Sequence, residues 1–74
     1  MNKDKFDFGE ALAYIKAGFV VSLTLNKVER RYYLNQFNNI VCVPNGKEHL
    51  AYVISDFKID AIMSNDWILI GDDN

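Results

Sequence analysis

The hydrophobic period changes at Gly18, and few folds can accommodate that change. Upstream, FDFGEALAYIKAG places Phe8, Ala11, Leu12 and Ile15 at the i, i+3, i+4, i+7 spacing of one apolar helical face. Asp7 is placed to cap the first turn, with Glu10 three residues on as in a capping box, and Gly18 supplies the left-handed residue that ends a helix. Downstream, FVVSLTL alternates Ser22 and Thr24 with Val21, Leu23 and Leu25, the period of a half-buried strand. An amphipathic helix running directly into a strand makes an α+β protein in which the helix packs on the strand's apolar side.

The remaining strands follow from turn chemistry. Asn26 and Lys27 form a turn, and Arg30, Arg31, Tyr32, Tyr33 and Leu34 return with strong β preference. IVCV at 40–43 is the next strand, PNGK at 44–47 the next turn, and LAYVI at 50–54 the strand after it. Ser55 or Asp56 is the expected cap of a short helix through IDAIM. Asn65 and Asp66 close that turn before WILI begins the last strand, and GDDN reads as a frayed tail. The expected architecture is a single domain over 1–74: a small antiparallel β-sheet, an N-terminal amphipathic helix, and a short second helix before the last strand.

Seventy-four residues bury only about 60 % of the surface that the unfolded chain exposes, so a core of this size usually needs disulfides, metal or association with further copies. One cysteine, Cys42, and one histidine, His49, allow neither an internal disulfide nor a closed zinc site. Self-association remains. Hydrophobic residues are 50 % of the chain and aromatic residues 14 %, rich enough to supply an intersubunit surface. A net charge of −2 argues against wrapping a nucleic-acid polymer. No apolar run reaches the roughly 18 residues of a membrane span and no signal-peptide core is present, so a soluble cytoplasmic protein is expected.

Catalysis requires a nucleophile, a base and a group that orients them, and no such set stands out. His49 follows a turn, where a solvated imidazole is expected. Cys42 between Val41 and Val43 reads as a buried, inert thiol. Asp4, Asp7 and Glu10 are helix-start charges. The glycines at 9, 18, 46 and 71 make no phosphate loop, so the chain is expected to be no enzyme and to carry no cofactor. What remains is aromatic and amide chemistry. Arg30, Arg31, Tyr32, Tyr33 and Asn35 form a strip able to contact phosphates and rings, or else a strand with one ring face inward and arginines snorkelling outward. Trp67 is either a core residue or a stacking plate rimmed by Asn65 and Asp66.

FGEALAYIKAGFVV near the start, together with a short helix leading into NDWILI near the end, resembles the second described type of Thoeris anti-defence sponges of phages. Members open with a phenylalanine-glycine-glutamate-alanine-leucine helix and close with an acidic-tryptophan pair leading a strand. The likeness covers roughly the first twenty and last fifteen residues. It implies a small α+β protomer that assembles as a homo-oligomer, typically a tetramer. Such proteins sequester a cyclic nucleotide messenger, chiefly glycocyclic ADP-ribose and in some members cyclic dinucleotides, without cleaving it. The resemblance carries Phe8 and Trp67 over as ring contacts, with Asn65 and Asp66 at the pocket edge. It departs where relatives bear an arginine and a tryptophan after the first helix and this chain reads VSLTLNKVERR, so that Tyr32 or Tyr33 would have to substitute. It departs again at Ala61, which stands before Ile62 and Met63 where relatives have an acid.

The expected ligand-binding set is therefore Phe8, Arg31, Tyr33, Asn35, Asn65, Asp66 and Trp67, in a sponge working in the cytoplasm of a bacterial host. Two other readings are a small protein-binding inhibitor that seats Tyr32, Tyr33 and Trp67 against a host protein, and a single-stranded nucleic-acid binder using RRYY, which the charge disfavours.

Overall fold

A computed structural model describes residues 5–72. Helix α1 spans Phe8–Lys16, and the Asp7 side chain accepts a 2.9 Å hydrogen bond from the Glu10 amide at its start. Gly18, at φ 97°, ends it. Five strands follow: β1 Phe19–Leu25, β2 Val28–Leu34, β3 Ile40–Pro44, β4 Tyr52–Ile54 and β5 Ile68–Asp72, with the short helix α2, Ile59–Ile62, between the last two. They form one antiparallel sheet in the order β4-β3-β2-β1-β5. The expected α+β class and element order are present.

The β1–β2 turn fixes which side chains share a face. Asn26 and Lys27 both have positive φ, 52° and 65°, as a two-residue hairpin turn requires. Leu25 therefore opposes Val28, Leu23 opposes Arg30 and Val21 opposes Tyr32. Tyr32 opposes Cys42, and Cys42 opposes Tyr52. One face thus carries Val21, Leu23, Arg30, Tyr32, Cys42 and Tyr52, and the other carries Ser22, Glu29, Arg31, Tyr33, Val41, Val43, Val53 and Ile68.

Both helices lie on the first face. Ala11 and Ile15 of α1 and Ala61 of α2 join Val21, Leu23, Tyr32, Cys42 and Trp67 in the buried core. Because β4 and β5 are opposite edges, the chain from Ser55 to Asp66 must cross this face to join them. The second face has no helix over it. Ser22 nevertheless is fully buried there, its hydroxyl donating to Glu29 Oε2 at 2.7 Å.

Several boundaries differ from expectation. Glu48–Leu50 forms a short 3-10 turn, so β4 begins only at Tyr52. Lys58, not Ser55 or Asp56, stands at the N-cap of α2, with no side-chain cap bond. Gly71 and Asp72, read as frayed, pair with Val20 and Phe19 through a bulge in β5, and Asp73 and Asn74 lie outside the described residues, as does Asp4.

Candidate ligand-binding site

Trp67 is the hub of the core. It is 0 % exposed, with Tyr32 at 5.2 Å between ring centroids and Phe8 and Phe57 each at 6.0 Å. Its indole Nε1 donates to the Ala61 carbonyl at 3.1 Å, which ties α2 to the start of β5. The reading of Trp67 as a plate offered to a ligand is corrected: within the protomer the ring is fully buried and its N–H is already taken. The cause lies in its backbone. Reciprocal hydrogen bonds with Phe6, 2.9 and 3.2 Å, hold Trp67 as an extension of β5, two residues from Leu69 and so on the helix-covered face. Phe8 is half-buried against the same cluster, edge-on to Phe57 at 4.9 Å.

The other expected site residues lie elsewhere. Asn65 and Asp66 are exposed in the turn before β5, where the Asp66 amide donates to Ser64 Oγ and its carboxylate pairs with Lys5 at 3.5 Å. That pair is mostly solvent-exposed and contributes little. The Asn35 side-chain oxygen accepts from the amides of Phe37 and Asn39 at 2.9 and 3.0 Å, closing the β2–β3 loop. Arg31 and Tyr33 occupy the helix-free face, with Arg31 Nε 3.8 Å from Glu29 Oε2. The seven residues therefore do not meet in one pocket of a single protomer: Phe8 and Trp67 are on one side of the sheet, and Arg31 and Tyr33 on the other.

The structure instead opens a cleft of about 160 Å³ on the covered face, between β1–β4 and the crossing segment. Helix α1 lies over β1, β2 and β5, which leaves the β3–β4 side to be roofed by the crossing segment alone. Tyr32 and Cys42 of the sheet and Ala61 of α2 above them meet at its buried inner end. Leu25, Ile54 and Phe57 are half-buried walls, and Arg30 stands half-buried beside them. Tyr52, Asp56 and Lys58 form an exposed rim.

The cleft's electrostatics follow from this arrangement. Burial pushes the Tyr32 phenol well above its usual range, and the Cys42 thiol adds to the rise while Arg30 opposes it. Tyr52 is raised chiefly by the neighbouring Cys42 thiol and then by burial. Both phenols are therefore neutral donors, not nucleophilic phenolates, at any biological pH. Cys42 is a buried free thiol, and His49 is exposed on the 3-10 turn, as expected. Among the described residues no group of three His, Cys, Asp or Glu side chains could hold a metal, and no helix is long and apolar enough to cross a membrane.

Of the cleft's lining, only Arg30 and Tyr32 belonged to the strip noticed in the sequence; Tyr52, Asp56, Phe57 and Lys58 had no local signal. The chain was also compared with protein-family models, characterised proteins and solved structures. None of them matches it.

Proposed function

We propose that the protein is a non-catalytic sponge that binds a cyclic nucleotide immune messenger and withholds it from its effector, acting in the cytoplasm of a bacterial host as the resemblance of its two ends implies. The observation that carries this reading is the cleft itself, where Arg30, Lys58, Asp56 and the neutral Tyr52 phenol surround a buried inner end made by Tyr32, Cys42 and Ala61. That set supplies attraction for phosphate, hydrogen-bond donors and ring contact, without a paired nucleophile and base. Holding a scarce messenger at nanomolar levels takes about 12 kcal/mol.

The cleft holds only part of such a ligand. Sites that enclose a whole small molecule measure about 300 Å³ or more, so the remainder must be covered by a further copy of the chain. The helix-free face supports such assembly: exposed Val53 and half-buried Val43, Tyr33 and Ile68 make it apolar where a solvated antiparallel sheet would be polar. Glu29 and Arg31 on it neutralise one another, so a second copy meets no net charge of its own sign. A body of 30 × 25 × 24 Å presents on one face an area near the ~800 Å² per partner of a stable interface. A dimer through this face leaves both clefts facing outward, free for the second contact that a tetramer requires.

The test is calorimetric titration with glycocyclic ADP-ribose and related cyclic nucleotides, followed by heating the complex and weighing the released ligand by mass spectrometry. The reading expects tight binding and an unaltered nucleotide; an altered product would make the protein an enzyme. A second reading, a protein-binding inhibitor, is favoured by Ile59, Ile62 and Met63, 68 %, 41 % and 73 % exposed on and beside α2. It expects no cyclic nucleotide to bind and a host protein to be retained on the immobilised chain through this patch.

A further inference from the structure

The cleft is graded by depth in a way that orients its ligand. At the bottom, Tyr32, Cys42 and Ala61 are 7 %, 2 % and 3 % exposed and present ring, thiol and methyl surface. Phe57, whose ring lies 5.2 Å from that of Tyr32, adds a second aromatic wall. At the mouth stand the charges: Lys58 and Asp56 exposed, Arg30 half-buried, and the Tyr52 hydroxyl beside them. An anion placed at the bottom would lose its water with no cation there, whereas an anion at the mouth keeps solvent and gains two cations against the single carboxylate of Asp56. A flat ring has the opposite preference.

Size makes the same selection. A cavity of about 150 Å³ accepts a single benzene-sized ring, and this cleft, at about 160 Å³, has room for a ring but not for a ring with its sugar and phosphates.

We infer that the cleft takes a nucleotide ring first, seating a heteroaromatic base on Tyr32, Cys42 and Ala61 against the packed ring pair of Tyr32 and Phe57, while Arg30 and Lys58 hold the phosphates at the mouth. This rests on the proposed nucleotide-binding function and assigns each end of the ligand to named residues. Asp56 at the rim is placed to accept a hydrogen bond from a ribose hydroxyl, and the neutral Tyr52 phenol to donate one to a phosphate oxygen. The sugar and the far side of the phosphates stay outside the cleft, where a further protomer closes over them.

The test uses methyl-labelled protein and three probes: adenosine, inorganic pyrophosphate and glycocyclic ADP-ribose. Adenosine, though weak, is expected to shift the methyl resonances of Ala61, Ile54 and Leu25, and pyrophosphate to leave the Ala61 methyl unmoved. Lys58 is exposed and makes no capping bond, so Lys58→Gln leaves the fold intact. That variant is expected to lower affinity for the cyclic nucleotide roughly tenfold and to cut its salt dependence by about half, Arg30 retaining the rest, without changing adenosine binding. Pyrophosphate shifting the Ala61 methyl, or adenosine leaving the three methyls still, would overturn the inference. Tight messenger binding with no shift at Ala61 or Ile54 would overturn it while sparing the proposed function. Adenosine shifts with no messenger affinity would leave the ring seat standing and sink the sponge.

Discussion

Replacing Trp67 by phenylalanine separates the indole's structural work from any part in binding. Trp67→Ala is the less informative change, because emptying this site costs about 3–5 kcal/mol, close to the whole stability of a domain at ~0.05–0.15 kcal/mol per residue. Phenylalanine keeps a ring among Phe8, Tyr32 and Phe57 and removes the Nε1–H that donates to the Ala61 carbonyl at 3.1 Å. That carbonyl keeps a longer bond from the Ser64 amide, 3.3 Å, so the loss falls at the low end of the ~1–3 kcal/mol for a deprived buried acceptor. We expect a loss of about 1–2 kcal/mol. At roughly 4–8 °C per kcal/mol for a domain of this size, Tm drops by about 10 °C. Thermal and urea unfolding measure it, and amide exchange is expected to quicken first from Ala61 to Ser64, where the anchor of α2 is lost. The wild-type indole should resist iodide quenching throughout. An unchanged Tm, or an indole readily quenched in the native protein, would refute the buried position. Below the lowered Tm, messenger affinity in Trp67→Phe is expected to remain, since the indole does not line the cleft.

Lys27 holds φ 65° in the β1–β2 turn, a conformation costing a side-chain residue about 1–2 kcal/mol, part of which glycine's greater unfolded-state entropy offsets; Lys27→Gly is expected to raise stability by about 0.5–1 kcal/mol in urea unfolding. Tyr32 and Tyr52 have folded pKa values above the usual phenol value of about 10, so the folded state holds their protons more tightly than the unfolded state does. Their contribution is constant below that value and declines as pH rises above it toward the folded pKa values; Tyr32→Phe should flatten the alkaline fall in stability, and an identical fall in the variant would refute the cause assigned to it. Val53, 55 % exposed on the helix-free face, tolerates Val53→Lys without loss of fold; the variant is expected to lower the mass measured by analytical ultracentrifugation, and a mass equal to the wild type's would remove this face from the interface.

The fold was legible because its strongest signals are local. The 3.6-residue spacing of Phe8, Ala11, Leu12 and Ile15, the glycine after them and the alternation in FVVSLTL each act within one turn or strand, and each appears in the structure. The faces of β2 are legible as well, from the length of the turn before it. A two-residue turn at Asn26 and Lys27 sets Leu25 against Val28, so Arg30 and Tyr32 must share the side of Val21 and Leu23, and Arg31 and Tyr33 the side of Ser22. Arg31 and Tyr33, expected at the pocket, therefore lie on the face that no helix covers. The rest of the cleft depends on non-local geometry. Nothing near Lys58 or Phe57 in the sequence shows that their segment must cross the sheet from β4 at one edge to β5 at the other. Asn35 shows a further limit: its amide has the chemistry to bind a base, but the loop's own backbone N–H groups occupy its oxygen.

Native mass spectrometry of the protein with glycocyclic ADP-ribose tests the central claim most directly, because one spectrum reads both the number of copies and the mass of what they hold. An assembly of two or more chains carrying the nucleotide at its unaltered mass is expected, and the same assembly bare when Arg30→Gln and Lys58→Gln are combined. A single chain with no nucleotide bound, or a bound nucleotide unaffected by losing both cations, would contradict the claim.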